Sequence, residues 1–170
     1  VVKCADWPME EELLSSSKFS TVVMTDVLEH IQDERAALDA AGRALNPGGF
    51  LIVTVPSYQW LWSKHDIDVG HVRRYSRKKL SSVVRSQGFE VMYLSYFNFF
   101  LFPLAAAVRL LGKVAPFASA GRAEGLRPPR LLNSALRRTF ELETRQLIRG
   151  TLPWGLSIVL IARKSRIQVG

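Results

Sequence analysis

The chain has 170 residues, 48% hydrophobic and 22% charged, which suits one globular domain with a real core and excludes a disordered chain. Its single cysteine, Cys4, excludes an intrachain disulfide and fits a reducing, cytoplasmic compartment. Charge is lopsided: residues 1–70 carry 5 Lys and Arg against 11 Asp and Glu (−6), and residues 71–170 carry 18 against 4 (+14), which together make the net +8. A basic half of this kind points to an anionic membrane, a phosphorylated substrate or nucleic acid, or to a solvated face that acidic residues elsewhere balance.

The elements follow in chain order. Ser20–Met24 and Phe50–Val55 are short apolar runs rich in β-branched residues, the pattern of strands buried on both faces of a parallel sheet. Between them, Asp33–Leu45 repeats its apolar residues at helical spacing. The "NPGG" at Asn46–Gly49 ends that helix, because proline cannot continue it and glycine accepts positive φ. Strand, helix and strand make a βαβ unit. A second helix is predicted over Arg77–Gln87, closed by Gly88, and a strand over Phe89–Phe97. Ala115–Arg130 reads as a loop or linker, Leu131–Arg149 as an arginine-rich helix, and Gly155–Lys164 as a final strand. The start at Val1 reads as a cut inside a longer protein.

Taken together, "DVLEHI", "RALNPGGFLIVTVP", "GFEV" and the closing "LPWGLSIVLIARK" resemble the later half of class I S-adenosylmethionine-dependent methyltransferases, and most of all their ubiquinone-biosynthesis-type branch. The resemblance runs from about Val2 to Lys164. It implies an α/β, Rossmann-like fold with a mostly parallel sheet and an antiparallel last strand. Residues 1–170 would then be a single methyltransferase domain that is incomplete. They would supply strands four to seven of the family order, with residues 97–130 an insertion or cap. Strands one and two would be missing, and the chain contains no G-x-G-x-G run. The fragment alone is therefore expected to be inactive and to associate through a bare strand edge. Ser20 departs from the family, which usually has Asp there.

The resemblance also implies the site. The cofactor, S-adenosylmethionine, would lie across the carboxyl ends of the strands. Asp6, in "VVKCADW", matches the adenine-contacting position, with Trp7 against the ring and Asp26 beside the cofactor; the alternative reading makes Asp6 the cap of a helical turn. If a helical turn starts at Asp26, then Asp26, Glu29 and His30 share one face and form a candidate Mg or Zn site, with His71 or His65 completing it. The competing reading makes Glu29 and His30 structural lining. Ser57–Arg74 concentrates polar and aromatic residues after a strand's carboxyl end, as a substrate lid would. His71 is the first candidate base and His30 the second. Tyr58, Trp62, His65, Arg73, Arg74 and Tyr75 are candidate substrate contacts, the arginines for a carboxylate or phosphate.

The expected activity is methyl transfer to an oxygen or carbon of a small or lipid-linked acceptor. A non-catalytic binding module that kept the fold is the second reading, and a nucleic-acid 2′-O-methyltransferase the third. Val91–Val108 holds 18 residues without a charge. Asn98 and Pro103 interrupt it, so Phe97–Leu111 is expected either to lie on a bilayer, with Arg109 and Lys113 at the headgroups, or to cap the pocket.

Overall fold

The computed structural model describes residues 18–114 and 130–165. Among these, the elements run β1 (Phe19–Thr25), α1 (Glu34–Ala44), β2 (Leu45–Pro56), α2 (Lys64–Asp68), α3 (Arg77–Ser86), β3 (Phe89–Phe97), α4 (Phe102–Val114), α5 (Arg130–Arg149) and β4 (Ser157–Lys164). Short 3₁₀ turns stand at Leu28–His30 and Gln59–Leu61. The strands form one sheet in the order β1-β2-β4-β3. β1 and β2 are parallel, and β4 runs antiparallel to β2 and to β3. β3 therefore points the same way as β1 and β2, so three strands deliver their carboxyl ends to one edge of the sheet. This is the expected α/β class with an antiparallel last strand.

Helix α1 starts where Asp33 caps it: the carboxylate accepts from the backbone N–H of Arg35 at 3.1 Å and of Ala36 at 3.0 Å. The "NPGG" turn lies inside β2 and not before it. Phe19 pairs with Leu45 and Thr21 already with Phe50, so the residues between are looped out as a bulge. Gly48 takes φ 79° there, a conformation open to glycine at little cost.

The core follows the strand alternation. Leu51, Val53 and Val55 of β2 stand opposite Ala162, Leu160 and Ile158 of β4, and all six are buried. Leu38 and Ala41 of α1 and Leu80 and Val84 of α3 belong to the same cluster. The other face, at Ile52, Thr54, Val159 and Ile161, is only half-buried. Burial on both faces was the expectation from the unbroken apolar runs; the described helices complete it on one face. Among the described residues β1 forms an edge of the sheet, with Phe19 and Val23 exposed.

Each of the three parallel strands is followed within two positions by a non-glycine residue with positive φ: Asp26 (52°), Tyr58 (55°) and Asn98 (60°). Such residues are uncommon, and a bulky one such as tyrosine is strained by about 1–3 kcal/mol. All three are held from outside. The Asp26 N–H donates to the Thr54 carbonyl at 3.0 Å, and the Tyr58 N–H to the Tyr75 carbonyl at 2.8 Å. The N–H groups of Asn98 and Phe99 both donate to the buried Glu143 carboxylate of α5.

Gly155 leads into β4 against the end of β3, and a Cβ there would fall on the backbone carbonyl of Phe97. Gly155→Ala is predicted to lower the urea midpoint by an amount corresponding to about 2 kcal/mol or more, because backbone must move. Gly150→Ala, which meets nothing within 4 Å, is the control and is predicted to leave the midpoint nearly unchanged.

Candidate functional site

The loop after β2 folds back over the carboxyl ends of β1 and β2, and its anchor is Asp66. A capping box starts α2: Ser63 N–H and Oγ both meet Asp66 Oδ2, at 2.8 Å and 3.1 Å. The other oxygen, Oδ1, accepts from Arg74 Nε at 2.7 Å and lies 2.9 Å from His71 Nδ1. Burial opposes ionisation of this carboxyl, but the His71, Arg74 and Ser63 hydrogen bonds outweigh it and hold its pKa at about 2. An ionised carboxylate can only accept. His71 Nδ1 therefore carries the proton, and in the neutral ring Nε2 is left as the open acceptor.

That nitrogen faces Glu29. His71 Nε2 and Glu29 Oε1 are 3.9 Å apart, within ion-pair range and too far for a hydrogen bond. Glu29 is 1% exposed, and its Oε2 has no hydrogen-bond partner. Burial, assisted by the negative charge of Asp26, pushes its pKa up to about 7. The His30 ring meets that of His71 edge to face, with centroids 4.8 Å apart, and its Nδ1 lies 3.3 Å from the Gly70 carbonyl. Glu29, His30 and His71 each bring one ligand atom to within 4.8 Å of the others. An open hollow of about 560 Å³ adjoins this group, lined by Asp26, Val27, His30, Ile31, Gln32 and Asp33.

The sequence-predicted residues divide accordingly. Glu29, His30 and His71 come together. Asp26 does not stand on a helical face with Glu29 and His30. Its backbone is left-handed, the short turn begins after it at Leu28, and its side chain meets Thr54 Oγ1 at 3.3 Å. His65 is exposed on α2, outside the cluster, and Trp62 is half-buried. Arg74 is buried, its Nη1 donating to the Ser57 carbonyl at 3.1 Å, so a substrate anion would have to displace Asp66 or Ser57 to reach it. Arg73 lies 3.1 Å from Glu34 and donates to the Gln32 carbonyl at 2.6 Å. Tyr75 is wholly buried and donates to Glu34 at 2.5 Å; burial and that partner keep its hydroxyl protonated well above the usual tyrosine range. Tyr58 is half-buried and stacks on Tyr96 with centroids 5.1 Å apart. Asp6 and Trp7 lie outside the described residues. One contributor, Asp66, was given no role from the sequence, although the S-x-x-D spacing from Ser63 was a readable signal. Arg109, read from the sequence only as a headgroup contact on the bilayer alternative, turns inward to the Leu61 carbonyl at 3.3 Å.

A family model for the methyltransferase domain matches residues 4–94. The chain belongs to the methyltransferase domain family. A search of curated proteins by sequence gave no match. Among solved structures, the chain is similar to Haemonchus contortus phosphoethanolamine N-methyltransferase 2 in complex with S-adenosyl-L-methionine. That match has 15% identity and a TM-score of 0.51, and covers 92% of this chain and 35% of that one. It is also similar to an S-adenosylmethionine-dependent methyltransferase from Archaeoglobus fulgidus, at 15% identity and a TM-score of 0.50, covering 90% of this chain and 64% of that one. The chain thus spans between about a third and two thirds of these proteins. At such identities the likeness is one of fold, and it supports the methyltransferase architecture of the sheet.

The buried Glu29 gives a pH prediction. Its folded pKa of about 7 stands above the ordinary 4.5, so the folded state keeps a proton that the unfolded chain releases. Glu29 thus favours folding below pH 4.5, and that contribution is lost as pH rises to about 7. In chelator-treated buffer, Glu29→Gln is predicted to retain more of its stability than the parent chain between about pH 5 and about pH 8. Equal losses in urea unfolding at the two pH values would show that Glu29 is not desolvated.

Proposed function

We propose that the protein to which this chain belongs transfers a methyl group from S-adenosylmethionine to an oxygen or carbon of a small or lipid-linked acceptor, as in the ubiquinone-type branch that its motifs resemble. The observation that carries this reading is the open Nε2 of His71, oriented through Nδ1 by an ionised Asp66 at the carboxyl edge of a methyltransferase sheet. The hollow beside Asp26 and His30 fits a cofactor lying along that edge. Bound there, S-adenosylmethionine supplies an electrophilic methyl carbon on its sulfonium. His71 Nε2 would accept the proton that the acceptor hydroxyl or carbon loses, and Asp66 would stabilise the resulting imidazolium without taking its proton. Tyr58 and Trp60, joined at 5.6 Å between ring centroids, would form an apolar wall for the acceptor.

The 170-residue chain has no glycine-rich turn to lie against the methionine part of the cofactor. Calorimetry on this chain is predicted to give a dissociation constant weaker than about micromolar, which corresponds to about 8 kcal/mol. Extending it upstream to a G-x-G-x-G strand-turn is predicted to tighten binding. Tight binding by the chain as it stands would contradict this account of the cofactor site.

A second reading is favoured by the unpartnered Oε2 of Glu29: Glu29, His30 and His71 hold a divalent cation. His71 would then be a ligand and not a base, with Asp66 behind it and the Gly70 carbonyl behind His30, the usual outer partners of metal-bound imidazoles. Two imidazoles and a carboxylate suit Zn²⁺ better than Mg²⁺. Titration of the chain with Zn²⁺ is predicted, on this reading, to show one site that His71→Ala abolishes. Absence of binding leaves His71 as the base.

A further inference from the structure

Helix α4 is built inside out. Phe100, just before it, and Leu104 and Val108 within it are spaced by four residues and are 45%, 68% and 61% exposed. Pro103 and Ala107 lie between them and are also exposed. The opposite side faces the protein: Phe102 meets Tyr58 at 5.5 Å and Trp60 at 6.2 Å between centroids, Ala106 is buried, and Arg109 reaches the Leu61 carbonyl. A helix washed by water on its outer side would carry its charge there and its leucine inside. On the bilayer alternative the sequence put Arg109 at a headgroup; the structure turns it toward the loop over the site. Burial, and after it the nearby charge of Arg74, lowers the pKa of that guanidinium.

The apolar strip continues beyond the helix. Phe100 contacts Phe99 with centroids 5.1 Å apart, and Phe99 stacks on Trp154 at 5.0 Å, with the indole itself 45% exposed. No acidic residue occurs between Glu90 and Glu124. Glu143 fastens α5 to the root of α4, and α5 presents exposed Arg138, Arg145 and Arg149. No helix among the described residues is long and apolar enough to cross a membrane.

We infer that the outer face of α4, with Phe100 and Trp154, docks on the surface of an anionic lipid bilayer. The apolar strip supplies short-range insertion, and the excess of +14 over residues 71–170 supplies long-range attraction. A second copy presenting the same face is disfavoured as occupant because it would bring the same positive excess against itself. Because the inner face of α4 packs on the Tyr58–Trp60 loop, docking brings the candidate site to the lipid surface. This consequence, though not the docking itself, rests on the lipid-linked acceptor reading.

Vesicle flotation of the full chain is the test. With an equal mixture of phosphatidylcholine and phosphatidylglycerol the protein is expected to float. With phosphatidylcholine alone it should float poorly, and at about 1 M salt with the mixture it should also float poorly. Leu104→Ser with Val108→Ser, at exposed positions on the outer face of α4, should lower partitioning on the order of tenfold or more. That variant should keep its circular dichroism and whatever cofactor affinity the parent shows, which separates failure of docking from failure of the methyltransferase reading. Protein that stays at the bottom of the gradient with anionic vesicles at low salt overturns the inference. So does a double variant that floats like its parent. A dimer in light scattering that the double variant dissolves, without flotation of either protein, assigns the strip to a second copy instead.

Discussion

One carboxylate, that of Asp66, holds the loop after β2 to the sheet. It closes the first turn of α2 through Ser63, draws in Arg74 from the far end of the loop, and fixes the ring of His71. Arg74 in turn reaches the Ser57 carbonyl, and its neighbour Tyr75 exchanges backbone hydrogen bonds with Pro56 and Tyr58. A buried charge without partners would cost several kcal/mol, so each of these groups depends on the others for its burial. Removing the Asp66 charge would leave Arg74 desolvated and free the histidine ring at the same moment. The loop is therefore better viewed as a cross-braced unit than as a flexible lid.

The same constraint explains where strain collects. Three parallel strands end side by side, and each must turn sharply enough to leave room at the sheet edge. Asp26, Tyr58 and Asn98 make those turns at positive φ, held by Thr54, Tyr75 and Glu143 from neighbouring elements. None of the three is a glycine, so the turns persist through tertiary hydrogen bonds and not through local freedom. The candidate groups stand directly behind them: Glu29 follows Asp26 by one short turn, and the Tyr58–Trp60 aromatic pair begins at Tyr58. In this fold the candidate site and the backbone strain share one edge.

Much of the architecture was legible because it is periodic. The apolar runs of β1, β2 and β4 and the helical spacing of α1 are local features, and they gave the elements; the antiparallel direction of the last strand came from the family resemblance. Glu29, His30 and His71 could be picked out as chemically unusual groups in two neighbouring loops. What could not be read is direction. The left-handed turn at Asp26 removed it from the face assigned to it, because a single residue's φ reflects partners such as Thr54 that lie far away in sequence. The bilayer alternative put Arg109 at the headgroups, and it points inside because α4 leans on the Leu61 turn. The bulge at Asn46–Gly49 was seen as a helix stop; that it sits within a paired strand depends on the register with β1.

The central claim is that an ionised Asp66 fixes the tautomer of His71 and leaves its Nε2 open toward Glu29. Long-range proton–nitrogen correlation spectra of the ¹⁵N-histidine-labelled chain near neutral pH observe this directly. The account predicts that the neutral His71 ring carries its proton on Nδ1, with an unprotonated Nε2, and that Asp66→Asn destroys this preference. A ring protonated on Nε2 in the parent chain, or averaging between tautomers as in a solvated histidine, would contradict it.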